Sequence, residues 1–554
     1  MRRRTARSAC AACVASLAWL IAGCAPTPPC AQQPPWQATL SGGERTATAP
    51  EVPGNLPEIV IDRDDIVINR SCRLRFVLPV TDANGDGVVH INTAGVIVDL
   101  GGGTLAGCTD GTAPDAMTGT GIRVTAPHVV VMNGSVRGYK VAIHASDCDF
   151  AQFRSLNLSG NWGPRLLSTP QKENEKDWLW PHVNDGGEWR NNYGAALCVE
   201  RAREVRIASV RACGGQNGII LDRVNGAQVV DCDCSYLSGW GLALWRSNQN
   251  LVCRNAFDFC VRGYSHGVYN RGQDSAGILC FEQCTGNVFA SNSATHCGDG
   301  FFGFAGNESL AALPRGTGDA VAANSPPPGC DDNLLVGNDF SFAAAHGMEM
   351  TFSKGNLFCE NSVEGAAICG LWGGYSSLGA IDGNHFIACG DRGSGNERGG
   401  INIEHGQSIQ ITGNVFERCA IGIRLWWDED PQLVNSPWGK CHSTASELHT
   451  IASNSFRTLP VAVEIERSAN IAIYGNEFLA CGKDVAADAV STVRTDAPLA
   501  ADSKPAVSKW SGALSRLPGA ATPIGARRAL GGRESISMQS YGPEQRPVPA
   551  SSAK

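Results

Sequence analysis

The sequence predicts an all-β chain: one long coil of stacked parallel strands, about twelve turns between residues 56 and 482. Three observations predict it. A Gly followed by an apolar–any–apolar triplet recurs through the middle of the chain, at Gly218, Gly241, Gly277, Gly300, Gly347, Gly370, Gly400 and Gly422, with an uninterrupted spacing of 22 to 23 residues. Where no insertion intervenes, Asn-x-Phe or a relative generally follows about 14 residues later, and the Asn marks are Asn255, Asn292, Asn338, Asn361, Asn384, Asn414, Asn454 and Asn476. Cysteines keep the same register: Cys260, Cys297, Cys389, Cys419 and Cys481 each stand five residues after their Asn.

The physics behind that reading is nearest-neighbour stacking. A single turn cannot bury its apolar face, whereas stacked turns bury one continuous column. Within the Gly strands, pairs such as Ile219/Leu221, Met348/Met350, Ile401/Ile403 and Ile423/Leu425 keep the apolar side of a period of two and are expected to point inward. Asn at one fixed place can bond its equivalent on the next turn, and the cysteine column reads as small buried thiols. Met348 is therefore expected beside Leu371, and Asn361 beside Asn384. No zinc-type Cys or Cys/His spacing occurs, so no metal is assigned to the cysteines.

The ends read differently. Arg2, Arg3, Arg4 and Arg7 precede an apolar run from Ala11 to Ala22, too short to span a bilayer, as in a secretory signal. The run closes on Ile21-Ala22-Gly23-Cys24, which resembles the bacterial lipobox. That resemblance implies a signal over residues 1–23, lipid on Cys24, and, with Ala25 following, a protein held at the outer membrane or the periplasmic face of the cell envelope. Residues 24–55, rich in Pro, Gln and Thr, read as a tether without a core, and residues 483–554, rich in Ala, Ser and Pro, as a largely disordered tail.

Net charge is −8, or −12 once the four signal arginines are removed. An acidic surface argues against nucleic acid, whose phosphates need clustered Lys and Arg. A monomer is expected. Asp82-Ala83-Asn84-Gly85-Asp86-Gly87 matches the start of a calcium loop, but Thr93 stands where the closing Glu belongs. A tight turn is the preferred reading there, with calcium left open as the one cofactor.

The repeat resembles the right-handed parallel β-helix proteins of the pectate-lyase-like superfold over residues 56–482, and Val96-Ile97-Val98-Asp99-Leu100-Gly101-Gly102-Gly103 is similar to their opening turns. Gly263 to Asp274, Asn402-Ile403-Glu404-His405-Gly406 and Leu425-Trp426-Trp427-Asp428-Glu429-Asp430 resemble a bacterial subgroup of exported lipoprotein β-helices. The resemblance implies a three-faced solenoid. The superfold hosts lyases, hydrolases, epimerases and inert binding proteins, so it constrains the chemistry weakly.

Insertions break the repeat at about 159–193, 258–276 and 387–399 before the Gly strand, and at about 305–330 and 427–447 after it. Long loops at both edges of one strand column are expected to wall a groove whose floor is the outward side of the Gly strands. Glu349, Trp372, Asn402, Arg424 and Glu464 then fall in one outward column, and Glu404, Trp426 and Glu466 in the next. Glu349, Glu404, His405 and Arg424 are the expected catalytic centre. Asp299, His346, Trp372, Asn402, Trp426 and Asp428 surround it, and His266, Arg271 and Asp274 form a fallback in an upstream loop. Trp372 and Trp426, helped by loop residues Trp178, Trp180 and Trp189, would stack on sugar rings while Arg424 holds a uronate or keeps Glu404 ionised. The expected partner is an extended polysaccharide, with or without uronic acids. It would be cleaved by a lyase or hydrolase or altered by an epimerase; the alternative is non-catalytic glycan binding or a surface role.

Overall fold

The computed structural model describes residues 34–42, 54–77, 79–310, 329–495, 510–520 and 526–546. The signal segment and Cys24 lie outside the described residues.

Among those residues the chain winds into three parallel faces. One face is a sheet of fifteen strands from Ile66–Ile68 to Lys483–Ala487, each bonded to the strands one turn before and after it. A second face is a sheet of seventeen strands. The third is a five-stranded ladder from Ser362–Glu364 to Glu477–Leu479, continued upstream by the bridges Asp233↔Ala256, Ala256↔Ser293, Ser293↔Asp339 and Asp339↔Ser362. The coil is right-handed, the hand that parallel crossovers take in nearly all proteins. It runs past the expected end at residue 482, since strands Lys483–Ala487 and Val493–Arg494 add to it.

The repeat motif has a direct packing explanation. Phe386, Phe416, Phe456 and Phe478, the third residues of their Asn-x-Phe motifs, stack inside the coil with ring centroids 5.3, 4.9 and 5.2 Å apart and nearly parallel planes. The Gly of each turn lies against that ring. A Cβ on Gly400 would sit 2.7 Å from Phe416 Cδ1 and 2.8 Å from the Gly422 carbonyl oxygen. Gly and Phe are thus one unit of the motif, the first making room for the second.

Register follows the expected pattern: Met348 pairs with Leu371, and Asn361 donates to Asn384 Oδ1 from its backbone N–H at 2.9 Å and its side-chain amide at 3.0 Å. A second ladder, Asn250–Asn287–Asn333–Asn356, repeats this geometry at another corner. Each amide thereby satisfies a bend that leaves the sheets (buried polar groups need partners). The repeated cysteines are buried in the core, apart from a half-buried Cys481.

Two expectations about the ends are corrected. Within the presumed tether, Pro35–Gly42 is a helix, with Trp36 buried and Thr39 Oγ1 donating to the Gly286 carbonyl at 2.8 Å. Within the presumed disordered tail, residues 510–520 and 526–546 lie on the coil. Trp510 meets Trp36 at 5.6 Å, and Arg527 pairs with Asp258 at 2.7 Å and Asp233 at 3.1 Å. The physical reason is apolar outward surface: residues 35–42 and 510–520 cover a stripe on the second sheet that includes Leu251, Val288, Leu334 and Val336, and residues 526–546 cover a separate patch with Tyr236, Phe259 and Val261. Asp82 is part of a turn: Oδ1 accepts the Gly85 N–H and Oδ2 the Thr120 N–H, both at 2.7 Å.

Candidate functional site

The outward side of the fifteen-stranded sheet is not one open floor. Its middle is sealed by the 159–193 insertion. Trp189 is completely buried against Trp240 and Trp245 at centroid distances of 4.9 and 5.3 Å, over Ile220, Ala243, Leu279, Phe281 and Phe302. Its indole N–H donates to the Pro181 carbonyl. Trp189 is therefore a hydrophobic plug rather than a sugar platform, because the outward residues of these turns are apolar and need cover. Trp178 and Trp180 stay exposed.

Polar residues remain on both sides of the plug. Upstream, His144, Glu200 and Asp222 lie buried with Arg190, whose Nη1 is 3.0 Å from Glu200 Oε1. His144 Nε2 is 3.2 Å from Glu200 Oε2. Burial drives His144 down to about 4. Glu200 falls to about 2 despite burial, because His144 and Arg190 stabilise its charge.

Downstream lies the expected centre, and it includes a third outward column that period-two reading missed. Trp240, Ala276, Asp299 and His346 are successive register partners or neighbours at the start of their strands, and Trp240 and Ala276 pack outward under the plug. The next residue, Gly in each case, faces the core, so the alternation slips by one at this point. Asp299 consequently shares the face with Glu349. Its Oδ1 accepts the His346 backbone N–H at 2.7 Å.

These acids hold their protons strongly. Burial pushes Asp299 up to about 8, with the charge of Asp274 adding to it. Burial also lifts Glu349 well above the carboxylate range, helped by Asp299, Asp274 and Glu397. Half-buried Asp274 rises to about 7 for the same first reason. Burial keeps His346 neutral, pushing it down to about 4. Nearby polar atoms face no partner among the described residues: His346 Nδ1, Thr351 Oγ1 and Trp372 Nε1. Trp372 is half-buried and stacks on His346 at 6.0 Å.

A second group stands two turns on. His405 Nδ1 lies 2.6 Å from the Thr444 carbonyl, so this nitrogen carries the proton and donates. Nε2 is then turned to Asp428 Oδ1 at 3.0 Å and Glu404 Oε1 at 3.9 Å. A left-handed backbone at His405, φ 50°, turns its ring out of the strand alternation. Burial raises Glu404 to about 7, with Asp428 adding to the rise and a Tyr375 hydrogen bond opposing it. Tyr375, which sequence reading missed, also stacks on His405 at 5.5 Å. The helices Pro431–Asn435 and Pro437–Cys441 bring Trp438 beside it, and Asp430 caps the first by accepting the Gln432 and Leu433 N–H groups.

Three expected roles are corrected. Arg424 neither faces a uronate nor keeps Glu404 ionised: it is buried, pairs with Glu464 and with Glu466 at 2.9 Å, and donates to Asn396 Oδ1 at 2.8 Å. Asn402 is fully buried and ties the 387–399 loop through the Asn396 carbonyl. Trp426 is buried, its N–H donating to Asn402 Oδ1 at 2.9 Å, and so offers no open platform. Desolvation explains all three: inside a wall, such groups satisfy one another. The upstream fallback is dispersed. Exposed Arg271 faces Glu173 at 3.8 Å, His266 meets the Tyr264 hydroxyl at 2.8 Å, and Asp274 belongs with the Asp299 group.

A family model described as a right handed beta helix region matches residues 317–436. The chain is a right-handed parallel β-helix protein. No curated protein matches its sequence. Among solved structures it is similar to the Streptococcus pneumoniae surface adhesin PfbA, at 10% identity over 83% of this chain and 95% of that one, TM-score 0.34. It is similar to the A-module of the Azotobacter vinelandii mannuronan C-5 epimerase AlgE6, at 9% identity over 80% and 90%, TM-score 0.34. The Dettilon tailspike protein is also similar, at 12% identity over 74% of this chain, TM-score 0.34, and this chain spans 61% of that protein's length.

Proposed function

We propose that this β-helix binds and cleaves an extended polysaccharide on the fifteen-stranded sheet, downstream of the Trp189 plug. The observation that carries the reading is the company around Glu349. Protonated carboxyls and the unpartnered polar atoms of His346, Thr351 and Trp372 lie together on one face, beside a half-buried indole. Sugar hydroxyls are the ligand chemistry that satisfies such atoms, and an indole stacks on a pyranose face.

In this reading Glu349, assisted by Asp299, gives a proton to the leaving glycosidic oxygen. The base is Glu404, beside which His405 is fixed by Thr444 at Nδ1 and by Asp428 at Nε2. Glu349 shares register with Trp372 and Asn402, and Glu404 is two residues further along. That places their backbones about 12 Å apart. Side chains leaning toward each other close this to the roughly 6.5–9.5 Å of an inverting hydrolase, with water between. Because Arg424 is spent on Glu464 and Glu466, a neutral glycan suits the site better than a polyuronate. Export with a lipid on Cys24 completes the proposal and puts the site in reach of envelope or extracellular glycans.

The test is a panel of neutral and acidic polysaccharides incubated with the purified protein, with products analysed by mass and by new reducing ends. New reducing ends without an unsaturated product are expected, and Glu349→Gln and Glu404→Gln should each abolish them while binding persists. An unsaturated uronate product, or full turnover in both variants, overturns the assignment. A non-catalytic glycan-binding role is favoured by the burial of Arg424, Asn402 and Trp426 inside the wall; binding without any product across the panel would decide for it.

A further inference from the structure

Nineteen cysteines are free among the described residues, and most lie singly or as pairs in the core. One group differs. The sulfurs of Cys280, Cys284 and Cys330 all lie within 4.8 Å of one another. Each residue is completely buried. Cys280 projects inward from strand Ala276–Phe281. Cys284 stands three residues before Asn287 and Cys330 three before Asn333, and those two asparagines are successive rungs of one ladder. Cys284 and Cys330 therefore stack at the same corner of adjacent turns, with Cys280 closing the triangle.

We propose that this triangle binds one soft monovalent d10 cation of the Cu(I) class, bracing two turns from within. The donor set selects the ion. It consists of three sulfurs, with no fourth metal-ligating side chain beside them among the described residues. Structural zinc takes four ligands in a tetrahedron, and hard cations take oxygen, whereas thiolates in low coordination suit Cu(I). The site also moderates the charge it would gather. The Ser247 backbone N–H points at Cys284 Sγ from 3.3 Å, a donor placed for a thiolate. Binding is a ligand exchange. The cation enters as Cu(I), copper–sulfur bonds replace S–H bonds, the released protons pass to water, and nothing is oxidised. Since the three sulfurs are sealed from solvent, the ion enters as these turns close.

Other stacked thiols serve as internal controls. Cys389 and Cys419 lie on successive turns of the cysteine column, and no third metal-binding side chain joins them among the described groups. Full-length protein is produced in copper-supplemented anaerobic cells, purified under reductant, challenged with a chromophoric Cu(I) chelator and examined by copper-edge X-ray absorption. One copper per chain is expected to resist the chelator, with three sulfur neighbours and no nitrogen or oxygen. Cys284→Ser should lose that copper and Cys389→Ser retain it. The proposal falls if wild type retains none, if light atoms enter the coordination shell, or if Cys284→Ser retains as much as wild type. A disulfide among the three found by peptide mapping of unreduced protein also overturns it. Should Cys284→Ser fail to fold, the wild-type stoichiometry and absorption spectrum decide alone.

Discussion

His405 and Asp428 are joined through Nε2 and Oδ1 at 3.0 Å, while the opposite ring nitrogen is committed to the Thr444 carbonyl. Thr444 and Asp428 thus fix the ring through both nitrogens, and Glu404 stands at the edge of Nε2. If the fixed His405 ring positions Glu404 as the base, Asp428→Asn should lower kcat by up to about 100-fold with little change in KM, the low end of the roughly 10²–10⁴-fold that acid–base catalysis contributes. An equal loss in KM alone would make Asp428 a substrate contact instead.

Stability should fall as pH rises. Asp299 is raised from 3.8 to about 8 and Glu404 from 4.5 to about 7, each first by burial. A carboxyl raised in the folded state binds its proton more tightly there than in the unfolded chain. Its destabilising effect is absent below the unfolded value, grows between the two values and levels above the folded one. Buried His144 and His346, lowered from 6.5 to about 4, oppose this below pH 6.5, so the denaturant midpoint should drop between about pH 6.5 and pH 8, and Asp299→Asn should flatten the drop. An unchanged or steeper slope in that variant would contradict the burial of Asp299. Glu200, lowered to about 2, acts in the opposite sense but below this window.

Gly400→Ala should destabilise the coil by about 1–3 kcal/mol, the usual range for overpacking a filled core. The added Cβ meets both Phe416 and the Gly422 carbonyl. Chemical denaturation measures it, and Gly54→Ala, at a position with open space and no left-handed backbone, is the comparison.

Trp189→Ala should uncover the apolar middle of the sheet. A loss of about 3–5 kcal/mol is expected for such a buried aromatic. Binding of a hydrophobic dye should rise, because Trp240, Trp245 and Phe281 lose their cover. Preserved stability would mean that the insertion does not seal the face.

Arg527→Ala should cost about 3–5 kcal/mol, since it strands Asp258, a buried carboxylate that also accepts from Ser293 and Thr295. Protease sensitivity of residues 526–546 should increase with it. A variant as stable and as resistant as wild type would show that the segment does not clamp the coil.

What the sequence determined by itself is the coil. A repeat of 22 to 23 residues with Gly, Asn-x-Phe and Cys in fixed register is legible because each turn meets only the turns beside it, so local pattern and long-range contact coincide. Met348 beside Leu371 and Asn361 beside Asn384 follow from that register alone. What only the tertiary structure decided is everything built from insertions. Trp189 and Trp372 look alike in sequence, yet one plugs an apolar patch and the other stays half-open beside His346. Arg424 looked available until Glu464, Glu466 and the Asn396 loop claimed it. Asp299 joined the site through a one-residue slip in alternation, which no period-two count reveals. Insertions carry no repeat, so their fold depends on which outward surfaces need cover, and that is a property of the assembled coil.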